Sequence, residues 1–416
     1  MERRGSASQE AVRRHNLGGL LSLLHVQGAT SRSDLGSRTG LNRSTVGVLT
    51  SQLAQVGLLR ECAPVGSGTA GRPSIVVEPC RTTYALAVEV GVECLTAARV
   101  GLGGIVLQRR ELPSGAEDHD PARTVARVLV LLEELLEDTG PEEVCVGLGV
   151  AVCGLVRPDD GTVRLAPNLE WVDVPLGDLL AERLHPQLPV RIGNEADLGA
   201  RAEHLRGAGA GATDMVYLSG QVGVGGGIIL GGRPLTGAGG YAGELGHMVV
   251  NPTGRRCRCG RSGCWETEIG EDAVLRATGS GPGRSLAEVF AAQRAGDADV
   301  QAGLREIGRW LGSGLANIVN LFNPELILFG GLAADLFRVL EPEVRASLDG
   351  TLHAPRAQVR LELPGLGTDS NLVGAAELAF APLLNDPLAV LAAARGRSGG
   401  PLGRRAAPAL SASSSG

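Results

Sequence analysis

The first quarter of the chain carries apolar side chains at helical spacing. Leu17, Leu20, Leu21 and Leu24 fall on one face of a helix predicted over residues 12–27.

Two shorter helices follow in the stretch SRSDLGSRTGLNRSTVGVLTSQLAQVGLL. Ser31 with Asp34 is typical of a capping box, Gly40 ends the first helix, and Asn42 is a good N-cap for a second helix that runs to about Val56. The buried face of this second helix is predicted to be Val46, Leu49, Leu53 and Val56. The spacing is that of a helix-turn-helix, whose second helix enters a major groove by its N-terminal end. The predicted DNA contacts are therefore Asn42, Arg43, Ser44 and Thr45.

LLREC and SIVVEP then alternate as two short strands. The segment between them, APVGSGTAGRP, is rich in glycine and ends with Arg72, which outlines a wing. A wing of this kind can place an arginine in the minor groove, so Arg72 is a further predicted DNA contact. A helical module that binds protein instead of DNA remains an alternative.

From Thr83 onward the pattern changes to α/β. YALAVEVGVECLTAARVG and GIVLQRRELP predict a meander of strands, and EEVCVGLGVAVCGLV predicts a buried strand. Amphipathic helices are predicted over residues 121–137 and 298–322. In PVRIGNEADLGARAEHL a strand runs into a helix with Asn194 and Glu195 at the junction. MVYLSGQVGVGGGIILGGRPL predicts two strands around a glycine-rich turn, and NPELILFGGL predicts a strand that ends in a glycine pair.

The charge is unevenly distributed along the chain. Residues 1–80 hold nine Arg and five acidic side chains, a balance of +4, whereas the whole chain carries −6. A basic front and an acidic body favour an acidic partner, such as nucleic acid, for the front alone. No apolar run reaches about 18 residues and the N-terminus lacks the apolar core of a signal peptide, so we expect no membrane span and a cytoplasmic protein. The composition of residues 396–416 predicts a disordered tail.

Residues 257–266, CRCGRSGCWE, place three cysteines within eight positions. In a reducing compartment a disulfide is not expected. Gly260 and Gly263 allow the loop to fold back, so Cys257, Cys259 and Cys264 suit a tetrahedral zinc ion that needs one more ligand. His247 lies ten residues upstream and is the predicted fourth ligand. The charge of the site would be offset by Arg255, Arg256, Arg258 and Arg261. Free cysteines without a metal remain the alternative.

With these motifs in view, the chain resembles the ROK family of repressors and sugar kinases, and most closely its repressor branch, over about residues 15–390. The resemblance rests on the cysteine signature with Glu266, on GYAGELGH at 240–247 and on VGVGGG at 222–227. It implies an α/β chain with an N-terminal winged helix-turn-helix and a two-lobed, actin-like body of the ribonuclease H-like, hexokinase type. The expected limits are a winged helix at 1–80 and a body at 81–395. Lobe one would comprise about 81–195 with a C-terminal helix near 372–394, and lobe two about 196–371.

The resemblance also implies a sugar in the cleft between the lobes. Carried over by position, the implied contacts are Asn168, Asn194, Glu195, Glu244, His247 and Glu266. Carboxylates and amides suit this role because they form paired hydrogen bonds with neighbouring hydroxyls. His247 would bind zinc through one ring nitrogen and face the sugar with the other, so the zinc would be structural. The family also implies a homodimer or homotetramer.

Two departures from the family pattern argue against phosphotransfer. Kinases of the family open the body with Asp-x-Gly-Gly-Thr, whereas this chain has Glu89-Val90-Gly91-Val92-Glu93 at that place. A carboxylate there repels a triphosphate, and a branched side chain blocks its close approach. The kinase's catalytic Asp falls on Glu195, which is one methylene longer, and a misplacement of ~1 Å can cost ~100-fold in rate.

We therefore expect a DNA-binding repressor that responds to a sugar or sugar phosphate. The alternatives are a ROK sugar kinase that uses ATP and a non-catalytic protein-binding adaptor.

Overall fold

The computed structural model describes residues 2–62, 74–184, 188–220, 222–280, 284–348, 352 and 358–397, with side chains from residue 9 onward. The tip of the predicted wing, including Arg72, lies outside the described residues. Residues 398–416 of the predicted tail also lie outside them.

The N-terminal part folds as a winged helix. Its helices are α1 (Glu2–Gln27), α2 (Arg32–Thr39) and α3 (Arg43–Gln55). Its three strands, in the sheet order β1-β3-β2, are β1 (Thr30–Ser31), β2 (Leu59–Cys62) and β3 (Val76–Pro79). Asn42 caps α3, since its Oδ1 accepts a hydrogen bond from the Thr45 amide at 2.8 Å. The predicted capping box of α2 is half formed: Ser31 Oγ accepts from the Asp34 amide at 3.1 Å, but Ser31 donates to the Asp34 carboxylate through its hydroxyl at 2.7 Å.

Lobe one begins with the predicted meander and continues through two crossover helices. Its strands are β4 (Thr83–Val90), β5 (Cys94–Gly101), β6 (Ile105–Pro113), β7 (Val144–Val152), β8 (Leu155–Val156), β9 (Val163–Ala166), β10 (Trp171–Val174) and β11 (Val190–Asn194). Its helices are α4 (Pro121–Glu137) and α5 (Leu176–Arg183), and α6 (Glu195–Arg206) leads out of it. Strands β8, β9 and β10 form a separate small antiparallel sheet.

Lobe two repeats the plan. Its strands are β12 (Met215–Ser219), β13 (Gly225–Leu230), β14 (Arg233–Pro234), β15 (Leu326–Phe329) and β16 (Arg360–Glu362). Its helices are α7 (Trp265–Ile269), α8 (Glu271–Ala277), α9 (Leu286–Arg294), α10 (Ala298–Phe322) and α11 (Gly331–Ser347). The predicted glycine-rich turn at 222–227 is shorter than expected, because Gly225, Gly226 and Gly227 already belong to β13.

The two main sheets have the same topology. Their orders are β11-β7-β4-β5-β6 and β14-β13-β12-β15-β16. In each sheet the first three strands of the lobe form an antiparallel meander, and the last two add in parallel beside the first strand. This repeated order is the two-lobed actin-like architecture that the family resemblance implied.

Two helices join the lobes: α6 and α12 (Ser370–Asn385), which pack on each other and on both sheets. These helices approach the sheets closely because glycines in the strands face the backbone of the helices. A Cβ at Gly149 of β7 would collide with the Ala375 carbonyl of α12, and a Cβ at Gly227 of β13 would collide with the Ala196 carbonyl of α6. This direct contact with the sheets fixes the first turn of α6, where Asn194 and Glu195 lie.

The winged helix shares a hydrophobic core with the body. Leu20 and Leu24 of α1 belong to the same buried cluster as Phe380 and Leu383 of α12. The helix α13 (Pro387–Arg397) adds Leu391 to that cluster. The predicted limit at residue 80 therefore does not separate two cores, and the domain boundaries remain a prediction.

The C-terminal helix predicted near 372–394 is in fact two helices. The chain bends by 113° between α12 and α13, and Pro387 is the first residue of α13, where its missing amide hydrogen costs nothing. Helix α13 also reaches Arg397, two residues into the segment predicted as a tail. Within the described residues no single helix is long and apolar enough to cross a bilayer; residues 367–385 and 387–397 meet that criterion only as a pair taken across the bend.

Candidate functional site

Four candidate metal ligands meet at one point. The ligand atoms of His247, Cys257, Cys259 and Cys264 all lie within 4.8 Å of one another. The sulfurs of Cys259 and Cys264 are 3.6 Å apart, and Sγ of Cys257 is 3.7 Å from Nδ1 of His247. Zinc bonds of ~2.3 Å to sulfur and ~2.0 Å to nitrogen would place tetrahedral ligands about 3.5–3.8 Å apart. The donor set therefore fits a metal ion, and three thiols with one imidazole are typical of structural zinc.

The loop that carries the cysteines folds back through its own backbone. The Gly260 amide donates to the Cys257 carbonyl at 3.0 Å, and the Cys259 amide donates to Sγ of Cys257 at 3.4 Å. Gly263 has a φ of 72°, and a Cβ at this position would collide with the Asn251 carbonyl, so only glycine fits. A sulfur separation of 3.6 Å is also far above the ~2.05 Å of a disulfide, as expected for free cysteines.

A cavity of about 260 Å³ opens beside this cluster, between the two lobes. Its size is close to the lower end of the ~300–1,000 Å³ typical of small-molecule sites. All six residues that the resemblance implied as sugar contacts line it: Asn168, Asn194, Glu195, Glu244, His247 and Glu266. Cys259 also lines the cavity, so the candidate metal centre forms part of its wall.

Asn194 is held rigidly at the start of α6. Its Oδ1 accepts from the amides of Ala196 at 2.8 Å and Asp197 at 3.1 Å, and its Nδ2 donates to the Gly154 carbonyl at 2.9 Å. These bonds leave one Nδ2 hydrogen for a ligand. Glu195, the next residue, begins the helix, so both side chains are placed by the strand-to-helix junction that the sequence predicted.

His247 lies between the candidate metal centre and the cavity. Its Nδ1 faces Cys257, and its Nε2 lies 3.8 Å from Oε2 of Glu244. Glu266 lies on the metal side of the ring, where its Oε1 is 3.8 Å from Nδ1 and accepts from Sγ of Cys257 at 2.9 Å. One ring nitrogen therefore faces each side, as the predicted double role of His247 requires.

Among the described residues, neither Glu195 nor Asp197 forms an ion pair with a basic side chain. Burial, with a smaller contribution from the Glu89 carboxylate, raises the pKa of Glu195 to about 8. Burial and then Glu244 raise the pKa of Asp197 to about 7, and burial also raises the pKa of Glu244 itself. Near neutral pH Glu195 and Asp197 can therefore both donate and accept hydrogen bonds, which suits hydroxyl ligands.

The segments that correspond to the phosphate-binding turns of a kinase carry acidic side chains and tightly packed glycines in this structure. Glu89 is 8% exposed, and its Oε1 accepts from Nδ2 of Asn371 at 2.9 Å. Glu93 is exposed just beyond the turn of the hairpin. Gly331 has a φ of 53°, and a Cβ there would collide with the Gly220 carbonyl. The glycine pair is thus explained by chain packing without any nucleotide.

The predicted DNA contacts on α3 lie together at its N-terminal end. Asn42 is engaged as the cap, and Ser44 donates to its Oδ1 at 2.7 Å. Thr45 is half-buried. Arg43 is exposed and has no hydrogen bond or ion pair within the described part of the chain, so its guanidinium is available to a partner.

One residue of the cleft was assigned too small a role by the sequence. NH1 of Arg258 donates to Oδ1 of Asn168 at 2.8 Å, which ties the cysteine loop to the opposite wall of the cleft. Sequence reasoning counted Arg258 only as one of four charges near the cysteines. The available signal was its position between two candidate ligands, Cys257 and Cys259.

Comparison with known proteins identifies the family. The sequence model of the ROK family matches residues 85–381, and the chain belongs to this family. A xylose repressor of Bacillus subtilis (strain 168) is 29% identical over 326 residues, which cover 77% of this chain and 83% of the repressor. A solved ROK family transcriptional regulator, a homolog of the E. coli MLC protein, matches with a TM-score of 0.75 at 27% identity, covering 93% of this chain and 100% of that one.

A ROK family glucokinase from Streptomyces griseus, solved with glucose and AMPPNP, matches with a TM-score of 0.63 at 29% identity. It covers 71% of this chain, and the match covers 98% of the kinase. The 93% matched by the regulator is too large a share to leave out the winged helix, whereas the kinase match is about as long as the family domain. The winged helix is therefore the part that groups this chain with the regulator.

Proposed function

We propose that this chain is a sugar-responsive repressor that binds operator DNA through its winged helix. The observation that carries the proposal is the combination, in one chain, of α3 with its exposed Arg43 and a cavity lined by six candidate sugar contacts. Similarity to a xylose repressor and to a ROK transcriptional regulator supports the same class.

We further propose that the cleft does not transfer phosphate. Glu93 stands where the kinases of the family have the Thr that reaches the phosphates, and its carboxylate would repel a triphosphate. Glu89, in the place of their Asp, is already hydrogen-bonded to Asn371. Glu195 occupies the position of the kinase base, but it lies on a fixed helix start and is longer than the usual Asp. The glucokinase similarity keeps an ATP-dependent sugar kinase as the second candidate.

The proposed metal is zinc, held by His247, Cys257, Cys259 and Cys264. When bound, it would supply four bonds that fix the cysteine loop and keep Nε2 of His247 protonated. Glu266 follows Cys264 by two residues, so its place in the cleft wall depends on the same loop. The role is structural, because the ligand set leaves no position open for a substrate.

The cleft favours an unphosphorylated sugar. Among the described residues that line the cavity, three are glutamates and His247 is the sole basic side chain. Carboxyl groups form hydrogen bonds with hydroxyls in either protonation state, whereas a phosphate dianion is best bound by basic side chains such as arginine.

Helix α6 offers a path from the cleft to the winged helix. Glu195 begins it in the cavity, and Arg206 ends it against α1, where NH1 donates to the His25 carbonyl at 3.1 Å. We propose that a sugar draws the two lobes together and that α6 shifts α1 with them. Operator binding then weakens, by an amount of ~1–3 kcal/mol for couplings of this kind.

The proposed assembly is a cytoplasmic homodimer or homotetramer. Two winged helices in a symmetric dimer would present their α3 helices to half-sites about 34 Å apart, one turn of DNA.

The decisive experiment is a mobility shift of the purified chain on DNA from upstream of its own gene, repeated with a panel of free and phosphorylated sugars. We expect a specific, salt-sensitive complex that one free sugar weakens by about 5- to 150-fold. ATP consumption is measured with the same panel.

Each alternative has its own outcome. Sugar-dependent ATP consumption would favour the kinase. No DNA complex and no ATP consumption would favour a protein-binding adaptor.

A further inference from the structure

The middle of α3 exposes an apolar side chain that the fold does not use. Val46, Leu49 and Leu53 are at most 4% exposed and form the buried face of the helix. Val48 points the other way and is 64% exposed. A β-branched residue is also unfavourable in a helix compared with alanine, so neither packing nor helix propensity explains Val48.

The residue before it is equally unexplained by the fold. Gly47 lies inside α3, and a Cβ at this position would meet nothing within 4 Å. Its φ is outside the left-handed range that requires glycine. Alanine would stabilise the helix and would clash with none of the described residues, so packing within the described part of the chain gives no reason for glycine here.

The polar side chains around this patch are already paired. Ser51 Oγ accepts from NH2 of Arg32 at 2.8 Å, and Oε1 of Gln52 accepts from NH2 of Arg13 at 2.7 Å. The exposed centre of α3 therefore presents backbone and two methyl groups. A surface of this kind suits a partner that presents an apolar group at the bottom of a narrow groove.

Double-stranded DNA fits this surface better than a protein does. Arg43 is exposed and forms no ion pair with the residues that the structure describes; it lies just over one turn away on the same helix and can bind a phosphate. The first 80 residues carry a balance of +4, opposite to the rest of the chain. The major groove offers one apolar group on its floor, the C5 methyl of thymine.

We propose that Gly47 and Val48 form the base-reading contact of α3. The missing side chain at Gly47 lets the helix approach the groove floor, and the methyl groups of Val48 contact the C5 methyl of one thymine in each half-site. The proposal rests on the DNA-binding function proposed above and adds the base that the helix selects.

The first test replaces single thymines of the bound upstream fragment with deoxyuridine, which removes the methyl and keeps the base pair. For the wild-type chain, one position in each half-site should weaken binding about fourfold, the equivalent of one buried methyl group. Val48→Ala should weaken binding to the normal fragment by a similar factor and lose its sensitivity at that position. Val130→Ala, at a half-exposed valine of α4, is the matched control and should keep the wild-type profile.

The second test separates stability from recognition. Gly47→Ala should raise the midpoint of thermal unfolding yet weaken operator binding at least about tenfold, as expected when a close backbone approach is blocked. Gly19→Ala is the control, because Gly19 is an exposed glycine inside α1 with equally open space. It should raise the midpoint and leave DNA binding unchanged.

The outcomes separate this contact from the function on which it rests. If the wild-type chain forms no specific DNA complex, the proposed function itself fails and this contact with it. A wild-type complex that is insensitive to every deoxyuridine overturns the contact alone. The same holds if Val48→Ala keeps the wild-type profile, or if Gly47→Ala binds DNA as the wild type does.

Discussion

A carboxyl group lies at each end of helix α6, and the pKa values of these two groups are shifted in opposite directions. At its start, burial raises the pKa of Glu195 to about 8. At its end, Glu377 of α12 is 1% exposed and accepts from Nε2 of His25 at 3.0 Å and from Arg206. Burial alone would raise the pKa of Glu377, but His25 and Arg206 outweigh it and hold the pKa at about 2.

The partners account for this difference, because Glu195 is the more exposed of the two side chains and yet the one with the raised pKa. The junction formed by His25, Arg206 and Glu377 is satisfied within the chain, and the Gly103 amide completes it by donating to Nδ1 of His25 at 2.9 Å. Glu195 and Asp197 have no comparable basic partners among the residues that the structure describes. A buried carboxyl without a partner costs stability, and it is typical of a place where a ligand completes the hydrogen bonds. Helix α6 thus connects the junction, whose polar groups are paired within the chain, to the cleft, where we expect a ligand to complete the hydrogen bonds of Glu195.

The largest effect is expected from a substitution that removes the metal centre beside the cleft and leaves the junction of His25, Arg206 and Glu377 intact. Cys259→Ser should release the bound zinc and abolish the effect of the sugar on the DNA complex, while DNA binding itself persists because the junction is untouched. Zinc per chain by atomic absorption and the mobility shift with and without sugar measure both effects.

Cys80→Ser is the control for this variant, since Cys80 is half-buried and far from the cluster in sequence. It should keep both the zinc and the response. A Cys259→Ser chain that responds normally to sugar would contradict the structural role of the metal.

The second-largest effect is expected from a substitution in the junction of His25, Arg206 and Glu377. Glu377→Gln should lower the free energy of unfolding by about 3 kcal/mol at neutral pH, because it leaves the Arg206 guanidinium without its buried counter-charge and weakens the acceptor of the His25 Nε2 hydrogen. The contribution of Glu377 is present above its unfolded pKa of about 4.5 and is lost as the pH falls towards 2. Urea unfolding measured at pH 7 and at pH 4 tests both statements.

Glu341→Gln provides the comparison, since Glu341 pairs with Arg345 at 2.8 Å on the surface with both side chains about half exposed. Its loss should cost less than ~1 kcal/mol. Equal losses in the two variants would mean that the junction does not hold the winged helix to the body.

A smaller effect of opposite sign is expected at the cleft end. The folded chain holds the Glu195 proton more tightly than the unfolded chain, so this group lowers stability as the pH rises from about 4.5 to about 8. Glu195→Gln should remove that loss, on the order of 2 kcal/mol between pH 5 and pH 8 after allowance for partial exposure. It should also weaken sugar binding.

Urea unfolding at the two pH values gives the measurement, and Glu142→Gln, an exposed carboxyl outside the cleft, is the control. The contrast between the two ends of α6 would not hold if Glu195→Gln lost stability at pH 8.

The smallest effect concerns the bridge across the cleft. Arg258→Ala should weaken sugar binding only about threefold, because its contact with Asn168 is exposed to solvent. Arg261→Ala changes the same loop at a side chain without a hydrogen bond in the described part of the chain. Calorimetric titration with the sugar found in the panel compares the two, with zinc content unchanged in both. Identical affinities would remove the assigned role of Arg258.

Sequence reasoning succeeded where the signal is local. The helices predicted over 121–137 and 298–322 have these bounds in the structure, because each apolar stripe starts after an Asp cap, Asp120 and Asp297. The four metal candidates were likewise found from their spacing, and the six cleft residues were carried over from the family resemblance; the structure places both sets side by side. Their roles as ligands remain predictions.

Sequence reasoning missed what depends on distant contacts. His25 reads locally as the end of a surface helix, and nothing near it in sequence indicates Glu377, which lies 352 positions later. Val48 was not predicted, because the candidate contacts on α3 were chosen from its polar side chains. The two-helix C-terminus was missed because the apolar pattern continues across Pro387.

The packing of α1 against α12 and α13 has a consequence for the synthesis of the chain. The DNA-binding module is made first, but part of its hydrophobic core is supplied by residues 370–397. These contacts span most of the sequence, so their formation is slow and must follow translation of the last helices. A truncated product therefore has a winged helix with an incomplete core, and only chains that already possess the sensor can compete for the operator.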